Sequence, residues 1–127
     1  MTRIFLRTLA LGLALLSMPA WSAETVTPGK LAGQLESGKA PLIIDVRTES
    51  EYLDGHVPEA RLIPHDKMGG YIDSLSEHKE DPVVIYCGSG KRTQQAMERL
   101  DEAGFDQLIE LKGHFPAWKE GGHPVEP

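Results

Sequence analysis

The sequence predicts an α/β domain with a mostly parallel central sheet of about five short strands, covered by helices on both faces. Short apolar runs rich in Val and Ile recur at 42–46 and 83–86, each introduced by a proline, and read as buried strands. Helical stretches with capping residues and glycine stops fall between the strands, and such alternation implies parallel pairing by crossover. The strands have no polar side, so helices must cover the sheet on both faces.

The elements follow in order. Thr27 followed by Pro28 is a cap residue with proline at the first helical position, opening a helix that runs to about Ser37 and stops at Gly38. Leu42–Val46 is a strand, Glu49–Leu53 a short helix, and Ala60–Ile63 a second strand ending at Pro64. Asp66 is placed to cap a helix toward Leu75, although Gly69 and Gly70 lie inside it and lower its helix propensity. Pro82 introduces the clearest strand, Val83–Tyr86, which runs directly into Cys87. Lys91–Ala103 is amphipathic, with Ala96, Leu100 and Ala103 at helical spacing and Gly104 as its stop. Gln107–Leu111 is a further strand and Pro116–Glu120 a last short helix.

Residues 1–23 differ from the rest. Arg3 and Arg7 precede an apolar run from Thr8 to Met18, and Pro19, Ala20, Ser22 and Ala23 follow. That order is the pattern of a secretory signal peptide. The run is shorter than the roughly 20 residues of a spanning helix. The expectation is a mature domain over 24–127, periplasmic or secreted, with no membrane partner once the signal is removed. The formal charge of −6 becomes −8 without the two leader arginines. So acidic a body does not suit nucleic acid or an anionic membrane, and an anionic substrate would have to be drawn in locally.

Cys87 is the one cysteine, so it is core filler, an intermolecular link or a reactive thiol. Its position favours the last. Ligands of open α/β sheets bind beyond the carboxyl ends of strands. Here a strand, the turn Gly88-Ser89-Gly90 and a helix start at Lys91 aim several backbone N–H groups into one cup, an anion site aided by the helix dipole. Gly88 and Gly90 permit the curl, and Lys91 and Arg92 place positive charge at the rim. The same field lowers a thiol pKa, with no partner histidine required. The resulting thiolate can attack an electrophilic sulfur and keep it as a persulfide.

The stretch Tyr86-Cys87-Gly88-Ser89-Gly90-Lys91-Arg92-Thr93 resembles the active-site loop of single-domain rhodaneses. Asp45-Val46-Arg47, Glu51-Tyr52, Gly55-His56-Val57 and Ile63-Pro64 resemble the family's first signature. Leu111-Lys112-Gly113, Ala117-Trp118 and Gly122-His123-Pro124-Val125 resemble its carboxyl-terminal one. The resemblance covers nearly all of 24–127. It implies a rhodanese-like fold, Cys87 as persulfide-forming nucleophile and the amides of Gly88, Ser89, Gly90, Lys91 and Arg92 as cradle. Lys91 and Arg92 would attract a small anionic sulfur donor, and Asp45 and Arg47 would brace the site. A thiophilic acceptor such as cyanide would then take the sulfur. Two departures stand out. Glu59 replaces a usual glycine, and His114 replaces the second glycine of a common Gly-Gly pair.

Cys-Gly-Ser-Gly is similar to mercaptopyruvate sulfurtransferases and Lys91-Arg92 to thiosulfate-using rhodaneses. Two cations suit a dianionic donor, which favours thiosulfate. His56, His65, His78, His114 and His123 show no short zinc-type pairing, so they read as surface or structural histidines; neither a metal nor a cofactor is expected. Nothing marks an obligate interface, and a monomer is expected. The competing readings are a cysteine phosphatase or arsenate reductase, a persulfide carrier that does not turn over, and a binding module with a vestigial loop. Cysteine phosphatases resemble Cys-x5-Arg, whereas Cys87 to Arg92 is Cys-x4-Arg, a tighter ring suited to one sulfur atom.

Overall fold

A computed structural model describes residues 24–127. The signal-peptide reading of 1–23 lies outside the described residues.

The elements in chain order are β1 (Thr25–Val26), α1 (Pro28–Glu36), β2 (Leu42–Asp45), α2 (Glu49–Leu53) and β3 (Arg61–Leu62). Two 3₁₀ helices follow (His65–Gly70 and Asp73–His78), then β4 (Pro82–Tyr86), α3 (Lys91–Glu102), β5 (Gln107–Leu111) and α4 (His114–Glu120). The five strands form one sheet in the order β1-β5-β4-β2-β3, and every strand pairing in it is parallel. From β2 the chain moves outward to β3, and from β4 it moves the opposite way to β5. The crevice between the carboxyl ends of β2 and β4 is therefore the topological switch point, where α/β sheets bind ligands. Asp45 faces Tyr86 across it in register, and Cys87 is the next residue.

Alternation along β4 sorts two cores. Val83, Ile85 and Cys87 share one face with Ile44 and Val46, under Ala96, Met97 and Leu100 of α3 and Met68 and Leu75 of the 3₁₀ helices. Val84, Tyr86 and Ile43 face the other way, against Leu31 of α1 and Phe115 and Trp118 of α4. A side chain such as Leu100, wholly buried, stabilises the fold by about 1.5–3 kcal/mol relative to exposure.

Local chemistry explains most boundaries. Thr27 Oγ1 accepts the Lys30 amide at 3.1 Å, and α1 ends before Gly38, which is left-handed at φ 75°. Thr48 and Glu51 form a reciprocal capping box at the start of α2, satisfying two amides that the first turn leaves bare. The helix expected from Asp66 toward Leu75 is instead two 3₁₀ turns. The Gly69-Gly70 pair disfavours a continuous α-helix, and Gly69 lies directly against the Arg99 guanidinium, where a Cβ would clash. The strand expected over Ala60–Ile63 pairs only through Arg61–Leu62, and α4 starts at His114 rather than Pro116. β1 has two residues, too short for any periodicity to reveal it.

At the carboxyl ends of β2 and β4 the side chains form a closed polar knot. Asp45 is wholly buried and Arg47 nearly so. Arg47 donates to Asp45 through Nε (3.0 Å) and Nη2 (2.8 Å) and to the Gly55 carbonyl at 2.7 Å. Tyr86 donates its hydroxyl to Asp45 Oδ2 at 2.6 Å and accepts the Val57 amide at 3.0 Å. The Arg47 guanidinium also lies 4.2 Å from the Phe115 ring centroid.

Removing one member of such a pair leaves the other charge buried and uncompensated, which typically costs about 3–5 kcal/mol. Asp45→Ala is expected to lose stability on that scale in urea denaturation. A loss below about 1 kcal/mol, the range of exposed ion pairs, would contradict a buried brace.

Candidate active site

Cys87 leaves the end of β4 and meets two elements at once. Gly88, Ser89 and Gly90 turn the chain into α3, and Gly90 serves as its N-cap at φ 106°, left-handed backbone that favours glycine. A Cβ at Gly90 would also stand 3.0 Å from His114 Nε2. This turn brings the Gly90 amide to 3.0 Å from Cys87 Sγ. Gly88 does not need positive φ; its lack of a side chain leaves room for the Arg92 guanidinium, which would lie 3.2 Å from a Cβ there.

The second element is α4. Its first residues hold the backbone of Cys87 on both sides. The Phe115 amide donates to the Cys87 carbonyl at 3.0 Å, and the Cys87 amide donates to His114 Nδ1 at 3.2 Å. On its far side the His114 ring meets Glu110 Oε2 from Nε2 at 2.7 Å. His114 is only 6% exposed, and its backbone is left-handed at φ 58°.

The Cys87 residue is fully buried. Burial by itself pushes its thiol pKa up, but the polar groups packed around it, His114, Thr93 and the Gly90 amide, outweigh it and bring it down to about 6. Thr93 occupies the buried face of α3, and its Oγ1 has no hydrogen-bond partner among the described residues, an arrangement that is costly for a buried hydroxyl. For His114, burial pushes the pKa down, but Cys87 and Glu110 more than offset this and raise it.

Arg92 arches over the turn to α2, where Glu51 receives it through Nη1 at 2.7 Å and Nη2 at 3.2 Å. The Arg92 hydrogen bond, acting against partial burial, holds the Glu51 carboxyl at about 2. Glu51 therefore caps α2 and fixes Arg92 with one carboxylate. Lys91 and Ser89 are exposed at the rim. A surface hollow of about 640 Å³ lies at the opposite end of the sheet among Glu24, Lys39, Pro82 and Gln107, away from Cys87.

The arrangement is that of a cysteine at a switch point with the Gly90 amide donating to its sulfur. Residues 27–121 match the Rhodanese-like domain. The chain belongs to the rhodanese-like domain family. A sulfurtransferase of Allochromatium vinosum is 30% identical over 95 residues, covering 75% of this chain and 87% of that protein. The probable adenylyltransferase/sulfurtransferase MoeZ of Mycobacterium tuberculosis is 30% identical over 105 residues, 83% of this chain, and the chain spans 27% of its length. Among solved structures, the Alr3790 protein from Anabaena sp. is 36% identical with a TM-score of 0.70, covering 80% of this chain and 81% of that one.

Within this rhodanese-like domain, the structure gathers Cys87, Gly88, Ser89, Gly90 and Arg92 in one loop and sets Asp45 and Arg47 beneath it. Two findings add to the sequence reading. Arg92, expected with Lys91 to draw in a donor, is held by Glu51. His114, read from sequence as a surface or structural histidine, is buried, and its Nδ1 accepts the Cys87 amide. His114, Glu110, Thr93 and Glu51 were missed as site residues. The i, i+4 spacing of Glu110 and His114, with a non-glycine in the glycine pair, is the signal that pointed there.

A thiol at about 6 is ionised above that pH, so alkylation of Cys87 by iodoacetamide should reach half its plateau rate near pH 6. A midpoint at the ordinary thiol value of about 8.5 would show that the surrounding donors do not act on the sulfur.

Proposed function

We propose that this domain is a sulfurtransferase that carries a sulfane sulfur on Cys87, taking it from thiosulfate or a similar anionic donor and passing it to a thiophilic acceptor. The observation that carries this reading is Cys87 at the end of β4 with its sulfur 3.0 Å from the Gly90 amide, in surroundings that lower the thiol to about 6. A nucleophile ionised at neutral pH needs no further activation for attack on sulfur. The kinship with named sulfurtransferases supports the same class.

The steps balance without any redox partner. The Cys87 thiolate attacks the outer sulfur of thiosulfate, the Sγ–S bond forms, and the bond to the sulfonate sulfur breaks with its electron pair leaving as sulfite. Cyanide or another acceptor then attacks the outer sulfur of the persulfide. Thiocyanate departs and the thiolate is restored. Arg92 serves as the donor's anchor by exchanging a Glu51 oxygen for a donor oxygen. The leader-like residues 1–23 place this activity, in our reading, in the periplasm or outside the cell.

Intact mass of the protein with thiosulfate and then cyanide tests the proposal. Gain of one sulfur, about 32 mass units on the covalent nucleophile, is expected, absent in Cys87→Ser and discharged as thiocyanate. Uptake only from mercaptopyruvate would change the donor. Uptake from neither would leave a binding module, and loading without repeated turnover a carrier. Arg92→Ala should raise KM for thiosulfate about tenfold, the effect of losing a charged hydrogen bond to substrate, while kcat changes less. An unchanged KM would remove Arg92 from donor binding.

A further inference from the structure

Glu51 serves two elements with one carboxylate. Its Oε1 accepts the Thr48 amide and the Thr48 hydroxyl, both at 3.1 Å, and these contacts complete the capping box of α2. The two oxygens together also receive Arg92 of α3, through Nη1 at 2.7 Å and Nη2 at 3.2 Å. The capping box needs only an acceptor at this position, for which glutamine serves as well as glutamate. The negative charge is therefore surplus to the cap. Its salt-bridge partner among the described residues is Arg92.

That partner stands beside the turn of the nucleophile. A Cβ on Gly88, the residue after Cys87, would lie 3.2 Å from Arg92 Nη2. Arg47, at the end of β2, is matched by the buried Asp45, and Lys91 is exposed at the rim. Arg92 is thus the guanidinium closest along the chain to the Cys87 turn, and its charge is cancelled from inside the protein. The pair stays in contact with water, with side chains 27% exposed for Arg92 and 39% for Glu51. Ion pairs so exposed are weak, so an anion from solution can take the carboxylate's place. The Thr48 contacts keep Glu51 where it is when Arg92 lets go.

We propose that Glu51 is a specificity-determining residue: its carboxylate occupies Arg92 as a resident anion, which an anionic electrophile must displace and a neutral one need not. The proposal rests on the sulfurtransferase reading for the identity of the donor, and there Glu51 sets how tightly thiosulfate is held. One ionic contact is exchanged for another, and no proton or electron moves. The competing role for Glu51 is to position Arg92 for the donor and nothing more. The two roles differ in sign, since loss of the charge strengthens anion capture under the first and weakens it under the second.

Glu51→Gln reads that sign, because the amide keeps the acceptor for Thr48 and loses only the charge. The measured quantity is the ratio of Cys87 alkylation rates by iodoacetate, an anion, and by iodoacetamide, its neutral counterpart, at one pH. Ionisation and burial of the thiol affect both rates and cancel in the ratio. Glu51→Gln should raise the ratio about fivefold, the upper end for an exposed ion pair, and lower KM for thiosulfate by a similar factor while kcat changes less. In an Arg92→Ala background the same substitution should change the ratio less than about twofold, since the two residues act as one coupled pair. A ratio unchanged or lowered by Glu51→Gln overturns the proposal, and so does a full rise in the absence of Arg92.

If Glu51→Gln does not fold, the wild-type protein decides. Its iodoacetate-to-iodoacetamide ratio should not exceed that of an uncharged, blocked cysteine peptide, because the guanidinium beside the turn is already neutralised. A ratio about fivefold above the peptide's would reveal an open cation and overturn the resident-anion role. Sulfur uptake from thiosulfate, assayed in parallel, keeps the two proposals apart. A ratio raised by Glu51→Gln without sulfur uptake counts against the sulfurtransferase reading alone. Normal uptake with ratio and KM unmoved counts against the role of Glu51 alone.

Discussion

The carboxylate of Asp45 lies wholly buried where β2 and β4 end side by side, and its oxygens receive Arg47 and the Tyr86 hydroxyl together. A buried charge survives only when paired and hydrogen-bonded, so this carboxylate dictates the positions of its partners. Tyr86 is fixed at the last position of β4, which sets the direction in which Cys87 leaves the strand. Arg47 extends to the Gly55 carbonyl and the Phe115 ring, joining the loop after α2 to the start of α4. The sheet, the loop before β3 and the helix that delivers His114 are thereby referred to a single point one residue from the nucleophile.

Electrostatics at the crevice are local, as an acidic protein requires. Most cations near Cys87 are already spoken for: Arg47 by Asp45 and Arg92 by Glu51. Pairing lets guanidinium groups stay ordered in a partly buried place while adding little net field. The thiol is consequently governed by the groups packed beside it, the Gly90 amide foremost, rather than by the summed charge of the surface. Short charge-assisted hydrogen bonds in a shielded place are stronger than the same contacts in water. The burial that would protonate an isolated thiol strengthens each donor around it.

Backbone strain follows the same map. Glu59 and His114 are the described non-glycine residues with positive φ, at 69° and 58°, and they are the two positions that the sequence resemblance marked as departures from glycine. Left-handed backbone disfavours an L side chain at both. At 59 the side chain is exposed, and nothing in the structure explains the glutamate. At 114 it reaches Cys87 and Glu110 in a single step.

The sequence by itself determined the parallel α/β architecture, the order of its main elements and the loop of Cys87. Each of these rests on local information: the apolar runs of β2 and β4, the Thr27-Pro28 and Gly104 boundaries, and a glycine turn between strand and helix. The sequence left the Asp66–Leu75 stretch as one helix, because the contact of Gly69 with Arg99 joins residues thirty apart. It passed over β1, whose two residues acquire meaning only through pairing with β5. It left unread the partners of Arg92, taken as a donor-binding cation, and of His114, taken as a surface or structural histidine, since Glu51 and Cys87 come from other elements. Only the tertiary structure could decide which cations are neutralised and which donors reach the sulfur, because hydrogen bonds and ion pairs act over a few ångströms, and those distances are set by packing rather than by spacing along the chain.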